Sequence, residues 1–405
     1  MDQGHARCAP DCIQNREDSV DIQHEVRTLT SGPAHHFFGY YSVCPWNQSQ
    51  THLVCLESPF QDHLPEPHEA GAIGLVDAQT GQFERVTETR AWNLQQGAWL
   101  YWNPLAADSE IIHNDREGSE LVSVIYNLHT GQRRILPRPI NALSQDGAYA
   151  LCLTYGRLQR MRKVVGYAGA VDPNPNHPHP ANDGVFLMDM RTGDVRLVVS
   201  IQQVYDILAP HHPVVRDNHM WFNHVAFNPS ATRFYFLARC WKDGQMQTGA
   251  FTANRDGSDL RQVTPFGTRA SHLDWRSDTE FAATFDVRGR GREHVLVNDN
   301  DGTFRFVAEG RLNFDGHMTF SPDRSWMVTD QNVAESLEKW LLLVRLADEE
   351  MTVLHQFPMH ELRWLSGDLR CDLHPRWNRT GDTICVDALA ADGTRQLHTI
   401  HLDLS

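Results

Sequence analysis

Residues 369–387 read L-R-C-D-L-H-P-R-W-N-R-T-G-D-T-I-C-V-D, and this stretch is one copy of a unit that recurs along the chain. Each copy places a histidine three residues before an aromatic residue, and a polar turn and a second apolar run follow. Earlier copies read F-N-H-V-A-F from residue 222, S-H-L-D-W from 271 and G-H-M-T-F from 316. Their histidines are 48, 45 and 57 residues apart (272−224, 317−272, 374−317). A period of roughly 40–50 residues is typical of β-propellers, whose blades are four-stranded sheets.

The rest of the chain divides into similar modules, each with three or four short apolar runs and D-x-x-T-G, D-G-S or D-G-T turns. The seventh module lacks an outermost strand, and residues 24–30 (H-E-V-R-T-L-T) match the outer strands of the others. We therefore expect an all-β fold, a single seven-bladed β-propeller over residues 21–405. The N-terminal strand would complete the last blade and remove an exposed sheet edge. Six or eight blades are the alternatives, and residues 1–20 are expected to be a disordered tail.

The composition excludes several classes of partner. The 405 residues carry a formal net charge of −15, which argues against nucleic acid and requires a local positive site for any anionic ligand. We find no signal-peptide pattern and no apolar run of the ~18 residues that a membrane helix needs. We expect no membrane partner and a cytoplasmic location, or a periplasmic or secreted one if a native signal has been removed. The oligomeric state stays open, and the eight cysteines are expected to be free thiols apart from Cys371.

A metal site is predicted where the innermost strands line the central channel, because residues at one repeat position converge there. His272, His317, Cys371 and His374 supply three imidazoles and a thiolate, which suit tetrahedral Zn²⁺, with Mn²⁺ or Ca²⁺ as alternatives. His224 is a further candidate, as a ligand in place of His272 or as a residue facing a substrate. The alternative interpretation is that these histidines only make hydrogen bonds inside the blades.

Two stretches fit no blade, residues 161–182 and residues 201–219. Long loops in compact domains are usually functional or disordered, and both stretches would lie over the mouth of the ring if they leave the same edge. Tyr155, Arg157 and Tyr167 lie in or beside the first stretch, where a solvated basic face is the alternative to a substrate site. Arg216 lies in the second stretch and could pair bidentately with a carboxylate.

Six segments together resemble the seven-bladed propeller polysaccharide lyases, namely ulvan lyases and, more distantly, oligogalacturonate lyases. They are H-H-F-F-G-Y-Y-S-V-C-P-W-N (35–47), A-W-N-L-Q-Q-G (91–97), N-H-V-A-F-N-P (223–229), S-H-L-D-W (271–275), D-G-H-M-T-F-S-P-D (315–323) and C-D-L-H-P-R-W-N (371–378). The resemblance implies β-elimination at a uronic acid of an anionic glycan. A base removes the C5 proton, the C4–O bond breaks, and an unsaturated uronyl product remains. Such a reaction needs charge neutralisation at the carboxylate, a base, and an acid for the leaving oxygen.

The resemblance also bears on the metal. The ligand motif of the oligogalacturonate branch resembles His317, Cys371 and His374, with Cys371 in place of an amide and Arg376 in place of a further histidine. Both changes favour a closed, structural zinc site, as in the ulvan branch.

The ulvan branch works with two histidines, a tyrosine and an arginine. His113 matches the second histidine, whereas Asn93, Gln95 and Gln96 stand where the first is expected. The first hypothesis is therefore a uronate lyase whose candidate catalytic residues are His113 and Tyr167 for acid–base roles and Arg216 and His224 for the carboxylate. Its candidate substrate contacts are His36, Tyr41, Gln96, Tyr155 and Arg157. The second hypothesis is a non-catalytic propeller that binds a glycan or a protein and keeps zinc for stability.

Overall fold

The computed structural model describes residues 22–404, and these residues form seven antiparallel four-stranded sheets. The first strand of the described residues is β1 (His24–Thr28). Blade one follows and contains β2 (His35–Phe37), β3 (His52–Ser58), β4 (Gly71–Asp77) and β5 (Phe83–Thr89). Blade two contains β6 (Tyr101–Trp102), β7 (Glu110–Glu117), β8 (Glu120–Asn127) and β9 (Arg133–Leu136). Blade three contains β10 (Ala142–Leu143), β11 (Tyr149–Cys152), β12 (Gly184–Asp189) and β13 (Val195–Ser200).

The second half of the chain repeats this order. Blade four contains β14 (Met220–Phe227), β15 (Arg233–Lys242), β16 (Gln245–Asn254) and β17 (Arg261–Gln262). Blade five contains β18 (Ser271–Trp275), β19 (Glu280–Val287), β20 (Gly291–Asn298) and β21 (Phe304–Phe306). Blade six contains β22 (Thr319–Phe320), β23 (Trp326–Val333), β24 (Glu338–Arg345) and β25 (Glu350–Pro358). Blade seven contains β26 (Arg376–Trp377), β27 (Thr383–Leu389) and β28 (Arg395–Leu402). The predicted seven-bladed propeller is confirmed.

The last blade is completed by the N-terminal strand, as predicted. β1 pairs antiparallel with β28, from His24 opposite Leu402 to Thr28 opposite His398. The ring is thus closed by backbone hydrogen bonds between the two ends of the described chain, and β28 has no free edge. The predicted tail, residues 1–20, lies outside the described residues.

A tryptophan at the aromatic position of three repeat units joins neighbouring blades. The indole N–H of Trp102 donates to the carbonyl of Pro45, 2.7 Å away in the preceding blade. Trp275 and Trp377 make the same bond to the blade before them, at 3.2 Å and 3.4 Å. The middle strands are sandwiched between adjacent blades, so they read as continuous apolar runs; residues 53–56 of β3 are fully buried. The repeat pattern therefore reflects packing between blades as well as pairing within them.

Both stretches that fit no blade lie largely outside the sheets. Helix α1 (Tyr155–Met161) and a 3₁₀ turn (Lys163–Val165) belong to an insertion between β11 and β12 of blade three. Helix α2 (Ile201–Leu208) follows β13 and is capped by Ser200, whose hydroxyl accepts from the backbone of Gln203. Shorter 3₁₀ turns follow at Pro213–Val215 and Leu362–Trp364. Within residues 22–404, no helix has the length and apolar character needed to cross a membrane.

Candidate active site

The four repeat histidines lie side by side around the channel axis. The ring centroids of His224 and His272 are 6.0 Å apart, those of His272 and His317 3.9 Å, and those of His317 and His374 4.2 Å. His317 and His374 are buried, whereas His224 and His272 are partly exposed. We call these four residues the histidine arc.

Three of the four histidines have an unusual backbone conformation, which sets the direction of their side chains. His224, His272 and His374 have φ of 51°, 41° and 44°, in the left-handed region that non-glycine residues rarely adopt. The strand register shifts at His224 and at His272, as in a β-bulge. Residues held in such conformations cost about 1–3 kcal/mol each and cluster at functional sites. Trp99 holds the same position in blade two, at φ 50°, so the conformation belongs to the repeat.

Two tyrosines that follow β2 fill the channel beside the arc. The Tyr40 ring lies 5.5 Å from His224 and 5.3 Å from His374, and its hydroxyl contacts Nδ1 of His224. Tyr41 is 1% exposed, and its hydroxyl donates to the carbonyl of Leu273 at 3.2 Å. The ring of Tyr41 packs beside His317 and a carbonyl accepts from its hydroxyl, and the predicted contact of Tyr41 with substrate stays a prediction. Gly39, at φ 119°, lets this segment approach blade two, since a Cβ there would lie 2.5 Å from the backbone nitrogen of Gly97.

Three residues could hold a metal ion. His317, Asp372 and His374 each offer one ligand atom, and these atoms lie within 4.8 Å of one another. Nδ1 of His317 lies 3.0 Å from both carboxylate oxygens of Asp330. This contact fixes the ring orientation and leaves Nε2 free, the arrangement in which most metal-binding histidines are held. Nδ1 of His374 is buried without a hydrogen-bond partner in the described structure, and a bound cation is one explanation for such a group.

Asp372 is ionised in this group. Burial opposes its negative charge, but Arg370 and Lys339 hold the pKa of Asp372 well below its usual range. Arg370 Nε lies 2.6 Å and Lys339 Nζ 2.7 Å from the carboxylate. Two imidazoles and a carboxylate can therefore bind a divalent cation without first losing a proton from Asp372.

Cys371 does not belong to this group, which corrects the predicted ligand set. Its Sγ donates to the carbonyl of Asp387 at 3.7 Å, among the apolar side chains of blade seven. Burial raises the pKa of the Cys371 thiol to about 11. Neighbouring side chains in an extended segment point to opposite sides, so Asp372 faces the arc and Cys371 faces the core. The expectation of zinc depended on a thiolate; nitrogen and oxygen donors without sulfur are equally suited to harder ions such as Mn²⁺.

His272 lies beside the metal-compatible group and has a different partner. Its Nδ1 is 3.1 Å from Oδ1 of Asp315, which also accepts from Thr284 Oγ1 at 2.9 Å and Arg292 at 2.7 Å. Burial lowers the pKa of His272, which keeps the ring neutral. With Nδ1–H donated to Asp315, Nε2 carries the free lone pair. His272 thus has the hydrogen-bonding pattern of a general base.

Arg239 is a site residue that the sequence analysis missed. It lies in the middle of β15 and is 3% exposed, and its guanidinium makes no hydrogen bond or ion pair with any residue between 22 and 404. Burial, together with the nearby charge of Arg162, lowers its pKa to about 10. Arg239 lies opposite Trp221, three residues before His224, in the pairing of β14 with β15, and it is within electrostatic range of Tyr40 and Asp315. Arg239 therefore lies near the histidine arc. A buried guanidinium without a partner favours an anionic ligand. The sequence feature that could have identified Arg239 is the presence of an arginine inside the apolar run F-Y-F-L-A-R-C-W.

His113 and Tyr167 lie near each other, but inside the protein. Both are 0% exposed. The ring of His113 donates from Nδ1 to the carbonyl of Asn114 at 3.0 Å, and the Asn114 amide donates to the Tyr167 hydroxyl at 2.8 Å. Tyr167 stacks on Tyr155 at 3.9 Å between ring centroids, and the Tyr155 hydroxyl accepts from Asn141 at 2.9 Å. Burial lowers the pKa of His113 and raises that of Tyr167. These two residues and Tyr155 are all buried in this structure, and their predicted roles at a substrate stay predictions.

Three further predicted contacts have structural roles. The exposed Arg216 donates twice to the carbonyl of Ala209, at 2.9 Å and 3.2 Å. Both ring nitrogens of His36 are hydrogen-bonded, to side chains of blades one and seven. Arg157 is 2% exposed and donates to backbone carbonyls of the insertion and of Met220. Each of these side chains thus has protein partners in this structure, and its predicted role as a substrate or catalytic residue stays a prediction.

Gln96 remains compatible with its predicted role. Its side-chain amide is buried without a hydrogen-bond partner in the described structure and lies near Tyr40, whose pKa burial raises. The amide therefore lies at the edge of the site with unused donors and an acceptor.

A separate cavity of about 580 Å³ lies on the other side of the arc. The innermost strands of all blades run in the same direction along the channel. The cavity is lined by residues that follow the repeat histidines in these strands, including Phe227, Trp275 and Trp377. Asp315 and Asp372 precede their histidines and so lie towards the opposite face. Tyr40, Tyr41 and His224 form the inner wall of the cavity. The candidate active site is therefore on the face where the innermost strands begin.

No protein-family model and no curated protein sequence matches this chain. Its structure is similar to that of an oligogalacturonate lyase in complex with manganese, with a TM-score of 0.66 and 15% identity over 95% of each chain. An oligogalacturonate lyase from Vibrio parahaemolyticus has a TM-score of 0.62 and 13% identity, over 95% of this chain and 98% of that one. A puromycin hydrolase has a TM-score of 0.54 and 11% identity, over 91% of this chain and 52% of that one. The chain therefore shares the propeller fold of these proteins along almost its whole described length.

Proposed function

We propose that this protein is a metal-dependent lyase that cleaves uronate-containing oligosaccharides by β-elimination. The observation that carries the proposal is the unpaired, buried Arg239 beside the His272–Asp315 pair and the metal-compatible residues His317, Asp372 and His374. The similarity to two oligogalacturonate lyases, one solved with manganese, supports the same reaction class. The resemblance to ulvan lyases stays a prediction.

Carboxylate binding is the first requirement of this reaction, because the proton on C5 becomes acidic only when the adjacent carboxylate is neutralised. Arg239 presents a planar donor pair that matches a carboxylate. A divalent cation held by His317, Asp372 and His374, with Mn²⁺ preferred over Zn²⁺, would add positive charge at the same carboxylate. Since Arg239 has no competing acidic partner among residues 22–404, its charge is available to substrate.

Proton transfer is the second requirement. In our proposal Nε2 of His272 removes the C5 proton, while Asp315 holds the ring and stabilises the imidazolium that forms. The electron pair of the C5–H bond forms the C4–C5 double bond, and the C4–O bond breaks. The leaving oxygen then takes a proton, for which the hydrogen-bonded Tyr40–His224 pair is the nearest donor. Neither His113 nor Tyr167 takes part, since both are buried.

The test is formation of the unsaturated uronyl product, followed by its absorbance at about 232–235 nm, which reports C5-proton removal. Oligosaccharides from pectate, ulvan and glycosaminoglycans are incubated with protein loaded with Mn²⁺. His272→Ala is expected to abolish product formation, and His129→Ala, at an exposed histidine of blade two, is the matched control. Absence of product across the panel, together with retained glycan binding, would favour a non-catalytic binding propeller instead.

A further inference from the structure

A second arginine without a partner lies close to Arg239. Arg162 ends helix α1 in the insertion of blade three and is partly buried. Within residues 22–404, its guanidinium makes no hydrogen bond or ion pair. Its charge lowers the pKa of Arg239, and burial followed by the charge of Arg370 lowers its own. Trp241, two residues after Arg239 in β15, donates to the carbonyl of Met161 at 2.8 Å, which brings Arg162 next to the strand that carries Arg239. This positive charge stands in a chain whose formal net charge is −15.

The protein holds Arg162 in place from both sides. Met161 accepts from the indole N–H of Trp241 in blade four at 2.8 Å. Gly166 accepts from the amide of Asn93, which precedes blade two, at 3.2 Å. The segment that carries Arg162 is therefore attached to two blades, and a side chain presented from such a segment loses little entropy when it binds a ligand.

The acidic groups nearby do not balance this positive charge. Arg370 is paired with Asp372 at 2.6 Å, whereas Arg162 and Arg239 have no carboxylate within ion-pair distance in the described chain. Like charges held together in a partly desolvated site are unfavourable unless a ligand neutralises them. A uronate sugar carries one carboxylate, and Arg239 with the metal-compatible group accounts for it. Arg162 therefore requires a second anion.

We propose that Arg162 is a specificity-determining residue that binds an anionic group on the sugar adjacent to the one held by Arg239. The group is a carboxylate or a sulfate ester, since the guanidinium recognises either through paired donors. The blade-three insertion thereby selects glycans that are charged on neighbouring sugars. This inference rests on the proposed function for the position of the first carboxylate.

The test compares Arg162→Gln with the wild-type protein on three kinds of uronate oligosaccharide. The neighbouring sugar is a free uronate, a methyl-esterified uronate, or a neutral sugar carrying a sulfate ester. We expect the substitution to lower kcat/KM about tenfold for a charged neighbour, which corresponds to the loss of one ionic contact. Little change is expected for the methyl ester. The free-uronate and sulfate substrates show which anion is recognised.

Two controls accompany this comparison. Arg162→Lys keeps the charge and should restore part of the discrimination. Lys163→Gln removes the same charge from the next, exposed residue and should leave all three substrates unaffected. An equal loss on all substrates, or no loss on any, would overturn the inference.

Binding separates this inference from the proposed function. Calorimetry measures the affinity of Mn²⁺-loaded protein for trigalacturonate and for the trimer that is methyl-esterified only on the neighbouring sugar. If the wild type forms no unsaturated product but Arg162→Gln still weakens trigalacturonate binding selectively, the proposed reaction fails and the second anion site stands. If the wild type is active and the variant binds and cleaves both ligands like the wild type, only the inference about Arg162 fails.

Discussion

Replacing Arg239 with methionine should raise stability and lower kcat/KM, because the site holds a charge that the free protein does not neutralise. Burial lowers the pKa of Arg239 from 12.5 to about 10. Each pKa unit corresponds to about 1.36 kcal/mol, so the folded protein disfavours the charged guanidinium by about 3 kcal/mol. At neutral pH the group is protonated in the folded and unfolded states, so this whole penalty applies. The substitution also loses some packing, which offsets part of this gain, and we expect the free energy of unfolding to rise by about 1–3 kcal/mol.

The same substitution should remove the carboxylate contact from the transition state. One preorganised donor group contributes about 3–4 kcal/mol in comparable sites, so kcat/KM should fall about 10²–10³-fold. Stability is measured by urea unfolding, and activity by absorbance of the unsaturated product. Arg233→Met is the matched control in the same strand, where Arg233 is paired with Asp299 at 2.5 Å and Asp259 at 2.8 Å. It should lower stability and leave kcat/KM unchanged. An Arg239→Met protein that is less stable and equally active would refute the reasoning.

Other substitutions test the remaining assignments. Asp315→Asn should lower kcat about 10²-fold with little change in stability, because His272 loses the acceptor that orients it; a kcat within twofold of wild type would contradict this. His374→Ala should lower the affinity for Mn²⁺ at least tenfold by elemental analysis after dialysis, whereas Cys371→Ser should keep the metal. The reverse result would restore the thiolate as the ligand. Tyr167→Phe should lower the free energy of unfolding by about 1 kcal/mol, through loss of the Asn114 hydrogen bond, and should keep kcat; an inactive but stable variant would return Tyr167 to the reaction.

The two readings of residues 371–374 show where sequence reasoning fails. The spacing of His317 and His374 correctly places both at one height of the channel, and their rings are 4.2 Å apart. Cys371 was predicted to be a ligand because a thiolate binds zinc strongly, but the adjacent carboxylate of Asp372 faces the arc. Which of two neighbouring residues faces the channel depends on the backbone conformation of the loop before β26, and composition carries no information about it.

The sequence likewise does not show whether the side chains of Arg239, His113 and Tyr167 face a cleft or the core. An arginine inside an apolar run, or a histidine on a strand, has the same local sequence whether it faces a cleft or the core. Only the packing of blades two, three and four shows that Arg239 has no partner in the described chain and that Tyr167 is covered by Tyr155.

The sequence by itself determined the number of blades, the closure of the ring by residues near the N-terminus, and the position of four histidines around one axis. These properties follow from short-range periodicity, which repeats every blade and needs no knowledge of distant contacts. The tertiary structure decided which side chains meet at the axis: Asp372 rather than Cys371, Asp315 behind His272, and Arg239 without a partner. Those outcomes depend on left-handed residues at the bulges and on packing between blades far apart in the chain, so no local pattern encodes them.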